Sequence, residues 1–458
     1  VKELLSRLPN MNSLLEHPFL SDIGSERLKK ATQEYLDELR NSVLSGDTTV
    51  LPPLDDCAKS VLNLAMSEPK NLRKVINATG VILHTNLGRA PLGKDILSDV
   101  IDICSGYCNL EYNIKSGKRG SRYSHVENLI CELSGAEAAM VVNNNAAAMV
   151  LILGTLAKGK KVAISRGELV EIGGSLRVPE IIVQSGAELV EIGSTNKTRL
   201  SDYEDAVKNK DAELLLKVHT SNYEIVGFTE SVSVFELSEL GKSLCTPVIY
   251  DVGACFLLDV EHLGFNAGET ACSGLRSGAD VVCFSGDKLM GSAQAGIIAG
   301  RLEYINAMKK HPLTRALRPD KLTLSMLESA LRLHMYPSEA TSRIPVLSML
   351  FADTAQLRKQ AMKLSERLQS VLDGWSIDVC EVSDETGGGS LPNVPLPGWA
   401  VSIKPPEFTL NKLEEKLRFN DPPVVIRIRG EAALISPRTL LPGDDDIIVD
   451  AFCKCAGK

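Results

Sequence analysis

Six short apolar runs constrain this chain more than anything else in it. AMVV at 139–142, KVAIS at 161–165, EIIVQSG at 180–186, ELLLKVH at 213–219, TPVIYD at 246–251 and DVVCFSGDK at 280–288 are each strand-length and each followed by a helix-length segment. Continuous apolar strands alternating with helices are what a parallel sheet buried on both faces requires. The fold expected is therefore α/β, with an open, mostly parallel sheet, because the uneven spacing lacks the eight regular units of a closed barrel.

The rhythm changes on either side. Before Val75, Leu28, Ala31, Tyr35, Leu36 and Leu39 recur at three- and four-residue spacing, and a second amphipathic stretch covers Asp56 to Met66 after Pro52 and Pro53. This predicts an N-terminal helical module over 1–67 and a linker and lead-in over 68–85. A large domain follows over 86–335. From 336 to 458 come connecting helices and then SIDVCEV, AVSIK, LNKLEEKLR and VVIRIRG, the pattern of a small α+β domain. GGGSLPNVPLPG, between the first two of these, reads as a loop.

Three features point to chemistry at strand ends. In VVNNNAAA, Asn144, Asn145 and Ala146 stand where a helix begins, and unsatisfied N–H groups there hold an anion. A plain asparagine cap is the competing reading. Asp251 closes an apolar strand, either as a turn carboxylate or as the partner of a protonated ring nitrogen. Lys288 follows 37 positions after Asp251 (288 minus 251). It is a loop cation, or an imine-forming amine. The small residues Gly286, Gly291, Ser292 and Ala293 around it are expected to leave room for a planar ligand. Carboxylate, amine and anion site together favour pyridoxal phosphate, PLP, over the bland reading of each. Neither a G-x-x-x-x-G-K-[ST] nor a G-x-G-x-x-G nucleotide motif is present.

Composition narrows the remaining classes. The formal charge of -8 argues against indiscriminate nucleic-acid coating, while leaving room for a local basic patch. The 11 cysteines are spread through 458 residues and read as reduced core residues; no metal site is expected. No run approaches 18 apolar residues and the first residues lack a signal peptide's apolar core, so a cytoplasmic, non-membrane protein is expected.

The chain resembles the bacterial selenocysteine synthases, the L-seryl-tRNA(Sec) selenium transferases of the aspartate-aminotransferase-like PLP superfamily. The resemblance rests on VINATGVILHTNLGRAPLG at 75–93, GKRGSRYSHVENLICELSGAEAAMVVNNNAAA at 117–148, SRGELVEIGGSLRVPEI at 165–181, KVHTSNYEIVGFT at 217–229, FSGDKLMGSAQAGII at 284–298 and HPLTRALRPDKLTL at 311–324. It departs from the family at LMGSAQ, where L-x-G-G-P-Q is commoner, and at DVGAC, where D-x-G-S-G is usual.

The resemblance implies a PLP fold type I large domain with PLP bound covalently to Lys288. It implies conversion of Ser-tRNA(Sec) to selenocysteinyl-tRNA(Sec) with selenophosphate, by β-elimination and selenium addition through an aminoacrylyl intermediate. Asp251 takes the position of the ring-nitrogen partner, and Arg89, Arg315 and Arg318 those of the arginines on the selenophosphate side. Arg122 is a further substrate or phosphate contact, beside Arg119 and His125. Arg166 and His219, each after a strand, are expected against the cofactor. The helical module is expected to hold the tRNA body through Arg27, Lys29, Lys30 and Arg40, and the assembly to be a homodecamer, a pentamer of dimers. Two rival readings are a PLP lyase or transferase acting on a free amino acid and a catalytically silent RNA-binding scaffold.

Overall fold

The computed structural model describes residues 2–21, 24–46, 48–66, 71–172, 176–258, 270–392, 394–406 and 408–457. Residues 67–70 of the expected linker lie outside the described residues. The chain forms two compact units, Val1–Lys74 and Val75–Lys458.

The first unit is built on helices α1, Ser25–Ser45, and α2, Leu54–Met66. Its core is Leu14, Leu20, Leu28, Ala31, Cys57, Ala58, Val61 and Ala65, so the helical spacing seen in the sequence is the buried stripe. Helix α1 ends where Gly46 turns left-handed at φ 87°. Arg27, Lys29, Lys30 and Arg40 lie on its exposed side.

The second unit is organised around a seven-stranded sheet. Its strands are β1 Ala138–Val142, β2 Lys161–Ser165, β3 Glu188–Ile192, β4 Ala212–Val218, β5 Val248–Gly253, β6 Val281–Ser285 and β7 Gly296–Gly300. The spatial order is β1-β7-β6-β5-β4-β2-β3. Only β7 runs antiparallel, pairing with β6 through Cys283↔Ile298 and with β1 through Ile298↔Met140. Strands β1, β6 and β7 are buried along their whole length, because helices cover both faces.

One expected strand is a helix. EIIVQSG falls in the helix Val178–Gln184, and the strand is the following ELVEI, β3. A run of β-branched residues cannot by itself separate a buried strand from a short helix. Here Pro179 stands in the first turn, Val178, Ile181 and Ile182 are buried, and Val183 is 61% exposed, a helical and not a continuous pattern.

After the helix Lys321–His334, the helix Thr354–Gln369 packs on a four-stranded antiparallel sheet. Its strands are β8 Ser376–Asp384, β9 Leu396–Lys404, β10 Arg427–Arg429 and β11 Ala432–Ile435, in the order β8-β9-β11-β10. The loop expected between β8 and β9 ends sooner than its sequence suggested, since Leu396, Pro397 and Gly398 already pair with Asp384, Ser383 and Val382. Ile76 and Asn77, expected in the lead-in, pair in parallel with Val424 and Val425, and Ile76 and Ala78 join the core of this small sheet. No helix among the described residues is long and apolar enough to cross a membrane.

Candidate active site

In an open parallel sheet, ligands collect beyond the C-terminal strand ends, where loops diverge. A cavity of about 460 Å³ lies there. Strand β1 delivers Asn144, Asn145 and Ala146 to it, β4 delivers His219, β5 delivers Asp251, and β6 delivers Ser285, Asp287 and Lys288. Met149, Val170, Ile181 and Val218 supply apolar wall.

Asp251 is 2% exposed. Its Oδ1 accepts hydrogen bonds from Asn145 Nδ2 at 2.8 Å and from the Gly253 N–H at 2.9 Å, and its backbone carbonyl accepts the His219 N–H at 2.8 Å. Burial raises its pKa above the usual carboxylate range, and the two donated bonds oppose that rise by favouring the ionised form. A cation placed against this carboxylate therefore gains both a partner and a means of keeping it ionised.

Lys288 is 7% exposed, on the loop that follows β6. The loop closes on itself: Gly286 N–H donates to Ala295 O, Ser292 N–H to Gly286 O, and Gly291 N–H to Lys288 O, each at 2.9 Å. Burial lowers the ammonium pKa and the Arg89 charge lowers it further, against opposing contributions from Asp251 and Asp287. The net direction favours a neutral amine, the nucleophilic form.

The small residues of this loop make room for protein and not for a ligand, which corrects the sequence expectation. Gly291 is left-handed at φ 71°, and a β-carbon there would stand 2.3 Å from Ile344 Cγ2. Ser292 is buried and donates to the Met326 carbonyl at 3.2 Å. Gly286, Gly291, Ser292 and Ala293 do not line the cavity. They allow the loop to close tightly beneath Lys288, and sequence alone does not say which side of a tight loop is filled.

Arg89 lines the cavity from the turn after Gly88, itself in the left-handed region at φ 62°. Its guanidinium NH1 meets Asp287 Oδ2 at 2.8 Å. A non-glycine residue in that conformation costs energy unless its surroundings hold it, and the ion pair to the residue beside Lys288 does so. Asp287 was not among the residues singled out from sequence. The signal was there, in the carboxylate next to the candidate amine, but its partner is 198 positions away.

The other arginines are not brought into this cavity within one chain. Arg122 donates through Nε to Glu111 Oε1 at 3.1 Å and through NH1 to the Pro319 carbonyl at 2.5 Å, with NH2 also on Glu111. Arg119 and Arg318 meet the same carboxylate at 2.9 and 3.5 Å. Arg315 is exposed on the short helix Leu313–Ala316. This segment is tied to the cavity's edge, because the Asn143 N–H donates to the Leu317 carbonyl at 2.9 Å. His125 Nε2 lies 3.2 Å from the Leu110 carbonyl, a structural role. Arg166 is half-exposed, held by Glu191 Oε2 at 3.1 Å and the Gly193 carbonyl at 3.0 Å, and does not line the cavity. A position just after a strand puts its backbone near the sheet edge and leaves its side chain to the nearest carboxylate.

The donor set fits PLP. Asp251 suits a protonated ring nitrogen and Lys288 an aldehyde carbon. At the helix Asn145–Leu156, the Asn144 side chain takes the Ala147 N–H at 2.8 Å, and the N–H groups of Asn145 and Ala146 belong to the first turn, where an anion is favoured. Asn145 serves twice, since its side chain is spent on Asp251, and its Oδ1 is buried without a hydrogen-bond partner among the described residues. Gly388 and Gly389, from the loop between β8 and β9, close another side of the cavity.

Comparison with known proteins finds relatives over nearly the whole chain. The sequence pattern of the family described as SelA, L-seryl-tRNA selenium transferase, matches residues 75–441. A protein of Moorella thermoacetica named L-seryl-tRNA(Sec) selenium transferase is 47% identical over 458 residues, covering 99% of this chain and 97% of the relative. A protein of the same name from Clostridium botulinum (strain Okra / Type B1) is 43% identical over 457 residues, covering 99% of each. Among solved structures, a D-glucosaminate-6-phosphate ammonia-lyase is similar at a TM-score of 0.59 and 20% identity, over 85% of this chain and 99% of that one; this similarity is one of fold.

Proposed function

Because the chain belongs to the L-seryl-tRNA selenium transferase family, we propose that it converts L-seryl-tRNA(Sec) to L-selenocysteinyl-tRNA(Sec), with selenophosphate as donor and PLP held by Lys288. The observation that carries the chemical part is one cavity holding a buried amine, a buried carboxylate and an anchored arginine, Lys288, Asp251 and Arg89. When bound, PLP supplies an electron sink for the seryl Cα.

The protein's own groups do the rest. Lys288 Nζ would hold the cofactor at its aldehyde carbon, and this amine, kept toward its neutral form by burial, is the group placed to accept the seryl Cα proton. Asp251, its Oδ1 held by Asn145 Nδ2 and the Gly253 N–H, would hold the ring nitrogen's proton. The first turn of the helix after Asn144 would hold the cofactor's phosphate. Arg89, fixed by Asp287, offers a planar fork to the incoming selenophosphate and to charge on the departing oxygen. The wall of Met149, Val170, Ile181 and Val218 limits water near the ester that joins the amino acid to RNA.

Arg122, Arg315 and Arg318 are assigned to the same anion from across a subunit boundary. Within one chain they gather outside the cavity, around Glu111 or on an exposed helix, and a homo-oligomer, a decamer of five dimers in this reading, supplies the second copy. The exposed basic residues of α1, Arg27, Lys29, Lys30 and Arg40, are the contacts assigned to the tRNA body, whose duplex presents phosphates and 2′-hydroxyls. The enzyme works in the cytoplasm, where charged tRNA is used.

The test is transfer of labelled selenium. With PLP, labelled selenophosphate and Ser-tRNA(Sec), label is expected on the aminoacyl-tRNA, with no turnover of free serine. Robust turnover of free serine that ignores tRNA would reverse the reading in favour of a free-amino-acid enzyme.

A further inference from the structure

A second cavity, of about 440 Å³, adjoins the first and shares Ser221, Asn222 and Gly389 with it. The ridge between them is Gly387, Gly388 and Gly389, three successive residues in the left-handed region at φ 72°, 62° and 67°. A β-carbon would stand 2.4 Å from Val81 Cγ1 at Gly387 and 2.9 Å from the Leu83 carbonyl oxygen at Gly388. The ridge is pinned by the preceding residues: Ile82 N–H donates to the Glu385 carbonyl at 3.0 Å and Leu83 N–H to the Thr386 carbonyl at 2.7 Å. The strand of chain that leads to Arg89 in the first cavity is thus stitched to the wall of the second.

The chemistry of the two cavities differs. The second is lined by the carboxylates of Asp384 and Glu385, the hydroxyls of Thr386 and Ser390, and the apolar Leu391 and Pro392; among the described lining residues there is no lysine or arginine. Thr386 and Ser390 are 2% and 4% exposed, and each carries a hydroxyl oxygen with no hydrogen-bond partner among the described residues. Asp384 is 1% exposed; its Oδ2 takes Ser436 Oγ and Arg438 Nε at 3.0 Å, while its Oδ1 has no hydrogen bond and faces Arg427 NH2 at 3.5 Å. Buried polar atoms left unpaired are costly and rare in native proteins. With Asp384 already held by Arg438 and facing Arg427, the lining offers the Glu385 carboxylate and a set of hydroxyls, which suit a neutral group that donates hydrogen bonds, as carboxylates do for ribose hydroxyls in nucleotide folds. Leu391 and Pro392 add an apolar surface for a flat base.

We infer that this second cavity binds the terminal nucleoside of the RNA, its ribose hydroxyls on Glu385, Thr386 and Ser390 and its base against Leu391 and Pro392. The inference rests on the function proposed above: an amino acid held at Lys288 while esterified to RNA brings its ribose along, within one ester linkage of the reacting carbon.

The probes are serine amide and 3′-deoxy-3′-(L-serylamino)adenosine, a stable amide analogue of the charged end, titrated against the PLP-loaded enzyme by calorimetry. Wild type is expected to bind the nucleoside probe about tenfold or more tighter than serine amide, the scale of one or two good hydrogen bonds. Ser390→Ala and Glu385→Gln are each expected to reduce that advantage by about three- to tenfold, with serine-amide affinity and the cofactor's visible absorption unchanged. Equal affinity for the two probes in wild type, or an advantage that survives in both variants, would overturn the assignment. Glu385 is exposed, so its variant carries the test even where Ser390→Ala does not fold. Selenium transfer to intact Ser-tRNA(Sec) separates the two claims: transfer with flat probe results removes the nucleoside site alone, and no transfer removes both.

Discussion

Two groups of arginines in the large unit meet different fates. Arg89 reaches the cavity and is locked to Asp287, next to the amine it influences. Arg119, Arg122 and Arg318 share Glu111 and stay outside. Both groupings join residues far apart in sequence: the first brings Arg89 against Asp287 at the cavity, and the second ties a short hairpin, Tyr112–Asn113 with Lys118–Arg119, to the segment after Leu313–Ala316. A single chain therefore brings an amine, a carboxylate and one arginine to the cavity, and holds Arg119, Arg122 and Arg318 outside it.

The largest expected effect tests the completed half. Lys288→Ala should lower selenium transfer by about a thousandfold or more, the combined scale of lost covalent and acid-base participation, and should abolish the borohydride-trappable cofactor absorption. Retention of both would remove Lys288 from the chemistry. Next, Arg315→Ala should lower transfer by about a hundredfold with the cofactor spectrum intact, the usual cost of losing one anion-stabilising donor. Mixing Lys288→Ala and Arg315→Ala protomers should then restore about a quarter of wild-type activity, because one site in each mixed dimer is intact. No recovery would place the arginine's action within its own chain.

A third test concerns the support beneath Lys288. His334 is fully buried, its Nε2–H donates to the Met290 carbonyl at 2.9 Å, and burial pushes its pKa down to about 4. A depressed folded-state pKa means that the unfolded chain binds more protons in this window, so stability is fully present above about pH 6.5 and falls as pH drops toward about 4. The loss is on the order of 3 kcal/mol. Denaturant melts of His334→Gln should lack most of this acid slope; an unchanged slope would assign it to other groups. The smallest effect belongs to the Glu111 cluster: Glu111→Gln should cost about 1–2 kcal/mol of stability, since Arg122 is only 12% exposed and loses its charged partner, and no loss in a melt would mean that the pair contributes nothing.

The α/β class was legible because burial on both sides forces strands to carry apolar runs such as the LLL of ELLLKVH and the VVCF of DVVCFSGDK. The shared place of Lys288 and Asp251 beside one cavity was legible because residues near or just past the C-terminal ends of parallel strands stand toward the sheet's edge. EIIVQSG misled because branched apolar residues satisfy either periodicity over seven positions. Arg166 shared the strand-end signal with His219, yet only His219 lines the cavity, since a long flexible cation goes to whichever carboxylate is within reach. GGGSLP showed a loop and nothing of its destination.

Local pattern thus decided the layers of this protein, the order of its elements and the strand ends where chemistry collects, because each depends on neighbours a few residues apart. Contacts across long separations were decided only by the folded chain: Arg89 with Asp287, Asn145 with Asp251, and the glycine ridge against Leu83. The physical reason is that hydrogen-bond and ion-pair geometry depends on where side chains end in space, and residues hundreds of positions apart carry no mutual signal until the sheet brings them together.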